Sequence, residues 1–184
     1  MNQPSSQWRV AIYLVLLLLV TIIANLLAAR LADSPVAALI LMTSPALAAL
    51  LASLVTRRSL KDIGWRVTPV KWLGLGWILP ILYAVPAYAL VWLTGLGGIP
   101  NPTFLERARF TLNMPDASNN LLIVAAFFYI TIISLLPSIL LSLGEEIGWR
   151  GFLVPELAKW LGLRNAAWLS GVIWAAWHLP GILS

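Results

Sequence analysis

The sequence is poor in cysteine, histidine and charge, and each shortage excludes a class of chemistry. It has no cysteine among its 184 residues, which excludes disulfides, thiolate metal sites and a cysteine nucleophile. Its single histidine, His178, excludes a zinc site that takes two histidines from this chain. Only 10% of the residues are charged, whereas a typical soluble domain carries about 25%. The composition is therefore not that of a soluble enzyme with thiol or zinc chemistry.

Apolar residues are in excess, since they make up 60% of the chain and give a mean hydropathy of +0.89. The formal net charge of +5 and the pI near 10.1 would by themselves suit a nucleic-acid partner. However, so few charged residues on so apolar a chain cannot form a continuous basic face. The composition therefore predicts a lipid bilayer as a partner and no nucleic acid.

Long apolar stretches predict the membrane spans, because a spanning helix needs about 20 mostly apolar residues. Five stretches reach or approach this length: Val10–Ala29, Pro35–Val55, Trp72–Thr94, Leu121–Leu143 and Asn165–Leu183. The first is too long for the apolar core of a signal peptide, about 7–15 residues, so we interpret it as a retained span. The predicted fold is an all-α, polytopic transmembrane helix bundle with about five spans, in which residues 1–184 form a single integral membrane domain.

The basic residues predict how the chain is oriented, because cytoplasmic connections carry an excess of Lys and Arg. With the N-terminus in the cytoplasm, nine of the twelve basic residues lie inside: Arg9, Arg57, Arg58, Lys61, Arg66, Lys71, Arg150, Lys159 and Arg164. The other three lie outside: Arg30, Arg107 and Arg109. The sequence thus predicts a multi-pass protein of the cell (inner or cytoplasmic) membrane with a cytoplasmic N-terminus.

The longest outside connection, Gly95–Asn120, begins with a turn-rich segment. The segment Thr103–Asn113 that follows has the pattern of a short helix lying on the membrane surface. Four of its residues are predicted to face lipid: Phe104, Leu105, Ala108 and Leu112.

Two adjacent glutamates follow the fourth span with no turn signal before them, so the helix is expected to continue through them. Each charge costs roughly 2.5–3.5 kcal/mol at the bilayer centre, and less near its surface. Glu146 and Arg150 lie four residues apart on one helical face and can pair, whereas Glu145 points about 100° away. Gly144 and Gly148 are spaced to let another helix approach closely. Two interpretations fit: a polar site around Glu145, or a cytoplasmic helix end with a surface ion pair.

His178 is the second ionisable residue without a topological reason, because it lies deep in the fifth apolar stretch. Trp174 precedes it by one helical turn and is expected to pack on the same face. A lone histidine in a span either bonds a neighbouring helix for packing or belongs to a functional relay, and the functional interpretation is the default. Pro180, two residues on, is expected to weaken the local hydrogen-bond ladder.

The fourth and fifth spans are predicted to be antiparallel neighbours, so that Glu145 can face His178 across their interface. The connection between them, Gly151–Arg164, contains a short amphipathic piece. If the fifth helix begins near Asn165, His178 lies 13 residues, about 20 Å of helix, from that end. Contact with Glu145 therefore requires the fifth helix to begin later, or the fourth to reach deeper, than the apolar runs alone suggest.

These residues resemble the first two motifs of the CPBP family of intramembrane proteases, which includes the type II CAAX prenyl endopeptidases and the bacterial Abi proteins. The motif E-E-x-x-x-R is matched by Glu145–Arg150, and a customary Gly-Phe-Leu follows it. The motif F-x-x-x-H is matched by Trp174–His178, with tryptophan in place of phenylalanine. Ser59–Trp65 also resembles the family's connection before its third span. The specific resemblance covers Ser142–Pro180, and the family-like core is residues 121–184.

The resemblance implies an all-helical intramembrane endopeptidase that acts on a membrane-associated protein or peptide, with its cavity open to the cytoplasm. It implies that Glu145 activates a water for attack on a peptide carbonyl. His178 would hold or activate that water, or steady the developing charge. Glu146 would complete the catalytic set, while Arg150 and Trp174 would position substrate or support the site.

The family's third motif, a further histidine followed four residues later by asparagine or a similar residue, has no counterpart in this sequence. From the resemblance we therefore expect a chain truncated before that motif, a fragment of a longer protein, or a degenerate member. Loss of the oxyanion donors that the motif supplies would cost roughly 10²–10³ in rate.

No cofactor is expected. The family is often labelled metalloprotease, but one histidine and two carboxylates are a poor ligand set for zinc. A glutamate–histidine site that activates water without metal fits these residues better.

Two other classes of function compete with the protease. A non-catalytic membrane protein of the same fold, such as an immunity or partner-binding factor, would need Glu146 and Arg150 for packing and would tolerate Glu145→Gln. A small transporter would line a path with the carboxylates and His178, but the sequence lacks the repeated polar positions and inverted repeat of a transporter.

Overall fold

The structure, a computed structural model, describes residues 4–31, 34–64 and 69–183. Seven α-helices account for most of these residues: α1 (Ser6–Arg30), α2 (Pro35–Val55), α3 (Val70–Leu93), α4 (Pro102–Leu112), α5 (Asn119–Phe128), α6 (Leu135–Glu146) and α7 (Val154–Leu183). Two π-helical segments, Tyr129–Ile133 and Ile147–Leu153, flank α6. The predicted all-α class is confirmed. Trp65 and Arg66, used above for the resemblance and the charge count, lie outside the described residues.

Polar cap residues mark where several of the helices begin. Ser5, Ser34, Asn101 and Ser118 each accept a hydrogen bond from a backbone N–H in the first turn of the helix that follows. Such caps satisfy donors that have no partner within the helix. The sequence thus fixes these starts locally, before any packing.

Four helices in the described part of the chain are long and apolar enough to cross a membrane: Ser6–Arg30, Val36–Val55, Val70–Leu93 and Leu135–Leu183. The protein is therefore a multi-pass membrane protein. Together with one shorter apolar stretch, these helices agree with the expected all-α bundle of about five spans. The predicted fourth span, Leu121–Leu143, is not one continuous element. It is divided between the shorter apolar stretch Asn119–Ile133 and the start of a helical stretch of 49 residues.

By internal contacts the chain divides into two compact units, and the first comprises residues 1–65 and 137–184. Its helices α1 and α2 pack along each other, and three fully buried alanines of α2 leave room for the close approach. The core consists of Val10, Tyr13, Leu17, Ala48, Ala49, Ala52, Trp149, Phe152, Leu153, Leu157 and Ala166. This core joins α1 and α2 to the π-helical segment Ile147–Leu153 and to α7. The first motif runs into that segment, and the second motif lies in α7.

The helix that carries Glu145 does not stop at the glutamates, and the expected connection Gly151–Arg164 is mostly helical. The only non-helical backbone in α7 is at Gly162, with φ 73° and ψ 160°, a conformation that favours glycine. We call residues 137–161 the outgoing arm and residues 163–183 the return arm. Glu145 lies 17 residues before Gly162 and His178 lies 16 after it, so both are about 25 Å along their arms. The outgoing helix is longer than predicted, and this extra length brings Glu145 to the same depth as His178.

The small residues of the outgoing arm lie where α2 and the connection after it come closest. A Cβ added to Gly144 would lie 2.6 Å from the carbonyl oxygen of Met42, and one added to Gly148 would lie 2.5 Å from Pro45 Cβ. A Cβ on Gly151 would lie 2.6 Å from the carbonyl oxygen of Ile63. Gly144 and Gly148 therefore permit the close helix contact that their spacing predicts.

The second unit comprises residues 66–136 and contains α3, α4 and α5. Leu105 and Ala108 of α4 are buried against Leu122 and Ala126 of α5. This corrects the prediction that Leu105 and Ala108 face lipid: the apolar face of α4 finds a protein partner instead. Phe104 remains exposed, whereas Leu112 is partly buried against the same cluster.

Prolines within the helices do not end them. Helix α3 continues through Pro80 and Pro86, and α7 continues through Pro180 to Leu183. The expected disruption at Pro180 therefore does not interrupt α7. The described side chains of α3 are all at least partly exposed, as expected of a helix that faces lipid.

Candidate active site

The candidate site lies between the two arms, where Glu145 and His178 meet. Oε2 of Glu145 is 3.3 Å from Nε2 of His178. The same oxygen accepts a hydrogen bond from Nε1 of Trp174 at 2.8 Å. Both ionisable side chains are mostly buried, with 18% of the Glu145 and 25% of the His178 side chain exposed. The structure thus brings together three of the five residues singled out from the sequence.

The imidazole of His178 contacts two indole rings. Its ring centre is 4.5 Å from that of Trp174 and 4.6 Å from that of Trp177, both in edge-to-face geometry. Trp174 precedes it by four residues, as the shared face predicts, while Trp177 is adjacent in sequence. The Trp177 ring also contacts Trp149 of the outgoing arm at 5.8 Å. Two aromatic contacts therefore restrict the orientation of the imidazole.

The other two residues, Glu146 and Arg150, pair with each other. Nη1 of Arg150 donates to Oε1 of Glu146 at 2.7 Å. Both side chains are about half exposed, so the pair is at the surface of the first unit. The predicted i,i+4 pair is present, and Glu146 contacts Arg150 while Glu145 contacts His178.

A cavity of about 320 Å³ lies between the arms, next to Arg150. Its walls are formed by Trp149, Arg150 and Val154 of the outgoing arm and by Ala167, Ser170, Gly171 and Trp174 of the return arm. Trp174 lines the cavity and also donates to Glu145, so its indole links the cavity to the carboxylate. Small side chains from the return arm and one guanidinium therefore border a space that Trp174 separates from the candidate base.

A short polar network reaches the site from α1 and α2, and the sequence reasoning did not identify it. Nε1 of Trp177 donates to Oγ1 of Thr21 at 2.9 Å, and Oγ1 of Thr21 lies 3.3 Å from Oγ of Ser44. Thr21 is a polar residue within the first apolar stretch, Val10–Ala29. Its position on the buried face of α1, in register with Tyr13 and Leu17, is the signal that could have identified it.

A second polar cluster, around Glu156, also escaped the sequence reasoning. Glu156 is fully buried, and its Oε1 is approached by Lys159 at 2.6 Å, Arg58 at 3.4 Å and Arg9 at 3.7 Å. Nη2 of Arg58 donates to the carbonyl of Gly151 at 3.1 Å, within the π-helical segment after the glutamates. Burial lowers the pKa of Arg58, and the nearby Glu156 carboxylate opposes that shift. The cluster ties the connection after α2 to the outgoing arm.

The residues of the site do not make a zinc ligand set. Catalytic zinc takes three protein ligands. Within the described ranges 4–31, 34–64 and 69–183, no group of three or more His, Cys, Asp or Glu side chains lies close enough to hold a metal ion. Glu145 and His178 supply one oxygen and one nitrogen, and Glu146 is engaged by Arg150. Among the described residues, these donors fall short of the three ligands that catalytic zinc takes.

Comparison with known proteins connects this region to a family. Residues 119–184 match the family model described as Type II CAAX prenyl endopeptidase Rce1-like. No curated protein and no solved structure matches the chain. The matched segment contains both motifs and helices α5 to α7, and it leaves α1 to α4 outside. The resemblance predicted from the two motifs is therefore confirmed over residues 119–184.

Proposed function

We propose that the chain is a CPBP-family intramembrane endopeptidase that hydrolyses a peptide bond of a membrane-associated protein or peptide. The observation that carries the proposal is the 3.3 Å contact between Glu145 and His178, which Trp174 links to a cavity. Ionisable residues within apolar helices cost free energy to bury and most often serve a function. The family match over residues 119–184 supports the same reaction class.

In the proposed reaction the carboxylate of Glu145 takes a proton from a water, and the hydroxide adds to the carbonyl carbon of the scissile peptide. As the C–N bond breaks, the proton passes from Glu145 to the leaving nitrogen. One water is consumed, and a carboxylic acid and an amine are formed. Oε1 of Glu145 suits the base role, because Trp174 and His178 engage Oε2.

The surrounding residues suit supporting roles. His178 and Trp174 both contact Oε2 of Glu145, so they would hold the carboxylate in place and steady charge that develops beside it. Arg150, paired with Glu146 at the edge of the cavity, would position the substrate. The 320 Å³ cavity would accept the residues next to the scissile bond. The charge count favours a site reached from the cytoplasm.

The proposal is tested by profiling protein termini in membranes of cells that express the wild-type chain, Glu145→Gln or His178→Ala. We expect peptide termini that appear with the wild type and disappear in both variants. Removal of a general base lowers rates by about 10²–10⁴, so cleavage in Glu145→Gln should fall by at least the lower figure. A fluorogenic peptide with a prenylated cysteine near its carboxyl end is the first purified probe, because the matched family is named for such substrates.

Glu106→Gln is the matched control, since Glu106 is an exposed carboxylate of α4 outside the site. It should leave the profile of termini unchanged. Unchanged cleavage in Glu145→Gln, with wild-type amounts of membrane-inserted protein, would refute the proposal. If the termini depend on Glu145 and the prenylated probe is not cleaved, the substrate is a membrane-associated chain without a prenyl group.

A further inference from the structure

The two indoles that hold His178 are themselves fixed through their N–H groups. Trp174 donates to Glu145 at 2.8 Å, within the site. Trp177 donates to the hydroxyl of Thr21 at 2.9 Å, on a helix that is 156 residues away in sequence. The position of one wall of the imidazole site therefore depends on α1.

In the hydrogen bond between Trp177 and Thr21, the chemistry of the two groups determines which is the donor. An indole N–H can only donate, so the Thr21 hydroxyl must be the acceptor. The hydroxyl of Ser44 on α2, with 1% of its residue surface exposed, lies 3.3 Å from Thr21 Oγ1, within hydrogen-bond distance. An indole N–H without an acceptor in apolar surroundings is costly, so Trp177 would be expected to turn if Thr21 lost its oxygen.

We propose that Thr21 is a positioning residue for His178 and that it acts through Trp177. By fixing the Trp177 ring, which lies 4.6 Å from the imidazole, Thr21 sets the orientation in which Nε2 of His178 faces Glu145. The catalytic consequence of this arrangement rests on the proposed function. The arrangement also means that the segment that matches the family model takes part of its site geometry from α1, which lies outside the match.

The single histidine of the chain makes a direct test possible. Protein labelled with ¹⁵N-histidine, purified in dodecyl maltoside micelles, gives imidazole signals from His178 alone, and ¹⁵N-tryptophan labelling gives the indole signals. Thr21→Val is expected to shift the imidazole nitrogen signals and to move the Trp177 indole N–H signal upfield. Thr21→Ser, which keeps the acceptor, should restore both. Thr21→Ala removes the same acceptor with less bulk, in case the valine variant does not fold.

Two controls test whether Thr21 acts on His178 through Trp177. Thr131→Val removes a hydroxyl that donates at 2.7 Å to Phe127 in its own helical segment, and it should leave the His178 signals unchanged. In a Trp177→Phe background, Thr21→Val should cause no further shift of the imidazole signals, because the indole through which Thr21 acts is gone. Unchanged His178 signals in both Thr21→Val and Thr21→Ala, or an equal shift in the Trp177→Phe background, would overturn the inference.

The spectra do not require activity, so they separate the two proposals. If wild-type protein cleaves no substrate and Thr21→Val still moves the His178 signals, the proposed function fails and the positioning stands. If cleavage depends on Glu145, Thr21→Val should lower kcat with little change in KM, and Thr21→Ser should recover it. An unchanged kcat in Thr21→Val would overturn the inference while leaving the proposed function intact.

Discussion

Two glutamates of the outgoing arm pair with arginines in very different surroundings. Glu156 is fully buried, and the Arg58 side chain that approaches it is 5% exposed. In the Glu146–Arg150 pair, 49% and 62% of the side chains are exposed. Breaking a buried ion pair by removing one partner leaves a charge that water cannot solvate, whereas an exposed pair contributes little.

We therefore predict that Arg58→Met destabilises the protein far more than Arg150→Met does. The expected loss is about 3–5 kcal/mol for Arg58→Met, reduced to the extent that Lys159 still neutralises Glu156, and about 0–1 kcal/mol for Arg150→Met. Thermal unfolding in detergent micelles, followed by circular dichroism, measures the difference. Equal losses in the two variants would contradict the structural role given to the Glu156 cluster.

At the residue scale, the sequence predicted the ionisable members of the site but not what holds them. Glu145 and His178 were identifiable because apolar helices rarely carry charge without a reason. The donor role of Trp174 was not predictable, since whether an indole N–H points at a carboxylate depends on the packing of two arms. Thr21 was missed because a threonine in a span can also bond its own helix, as Thr131 does.

At the element scale, the contact of the outgoing arm with α2 depends on the absence of side chains. A Cβ on Gly148 would meet Pro45 at 2.5 Å, and the neighbouring atoms include backbone that cannot rotate away. Gly171 of the return arm has nothing within 4 Å of its Cβ position. The two glycines therefore offer the same substitution with opposite steric consequences.

We predict that Gly148→Ala destabilises the fold by about 1–3 kcal/mol, because α2 must move away from the outgoing arm. Gly171→Ala should be neutral or stabilising by up to about 1 kcal/mol, since alanine favours helix and meets no neighbour. The unfolding midpoints of the two variants in the same micelles test this. The close contact would be disproved if Gly148→Ala were as stable as Gly171→Ala.

The helix boundaries show where sequence patterns stop being informative. The limits of α2 were predicted from its apolar run, which is a local signal. The outgoing arm was predicted to end too early, because the hydrophobic run ends before the glutamates while the helix continues to Gly162. Tertiary contacts bury Phe152, Leu153 and Leu157, and these contacts sustain the helix where hydropathy alone predicts a connection.

At the scale of the whole molecule, charge is concentrated at one end of the first unit. Arg9, Arg58 and Lys159 gather around Glu156, six residues before the reversal at Gly162. The other end of α2, its start, comes shortly after Leu31 in the sequence, where α1 ends. The last turn of α1 contains a single basic residue. Because positive charge is retained on the cytoplasmic side, the end with the cluster is predicted to face the cytoplasm.

The absence of cysteine allows this orientation to be tested with single-cysteine variants of an otherwise unreactive chain. Asp62→Cys and Leu163→Cys, exposed positions near the cluster, should react with a membrane-impermeant maleimide only after the cells are permeabilised. Leu31→Cys, 38% exposed at the other end of α2, should react on intact cells. None of these substitutions changes the Lys and Arg count that sets the prediction. Reaction of Asp62→Cys on intact cells, with Leu31→Cys protected, would reverse the topology and place the opening of the candidate site on the outer face.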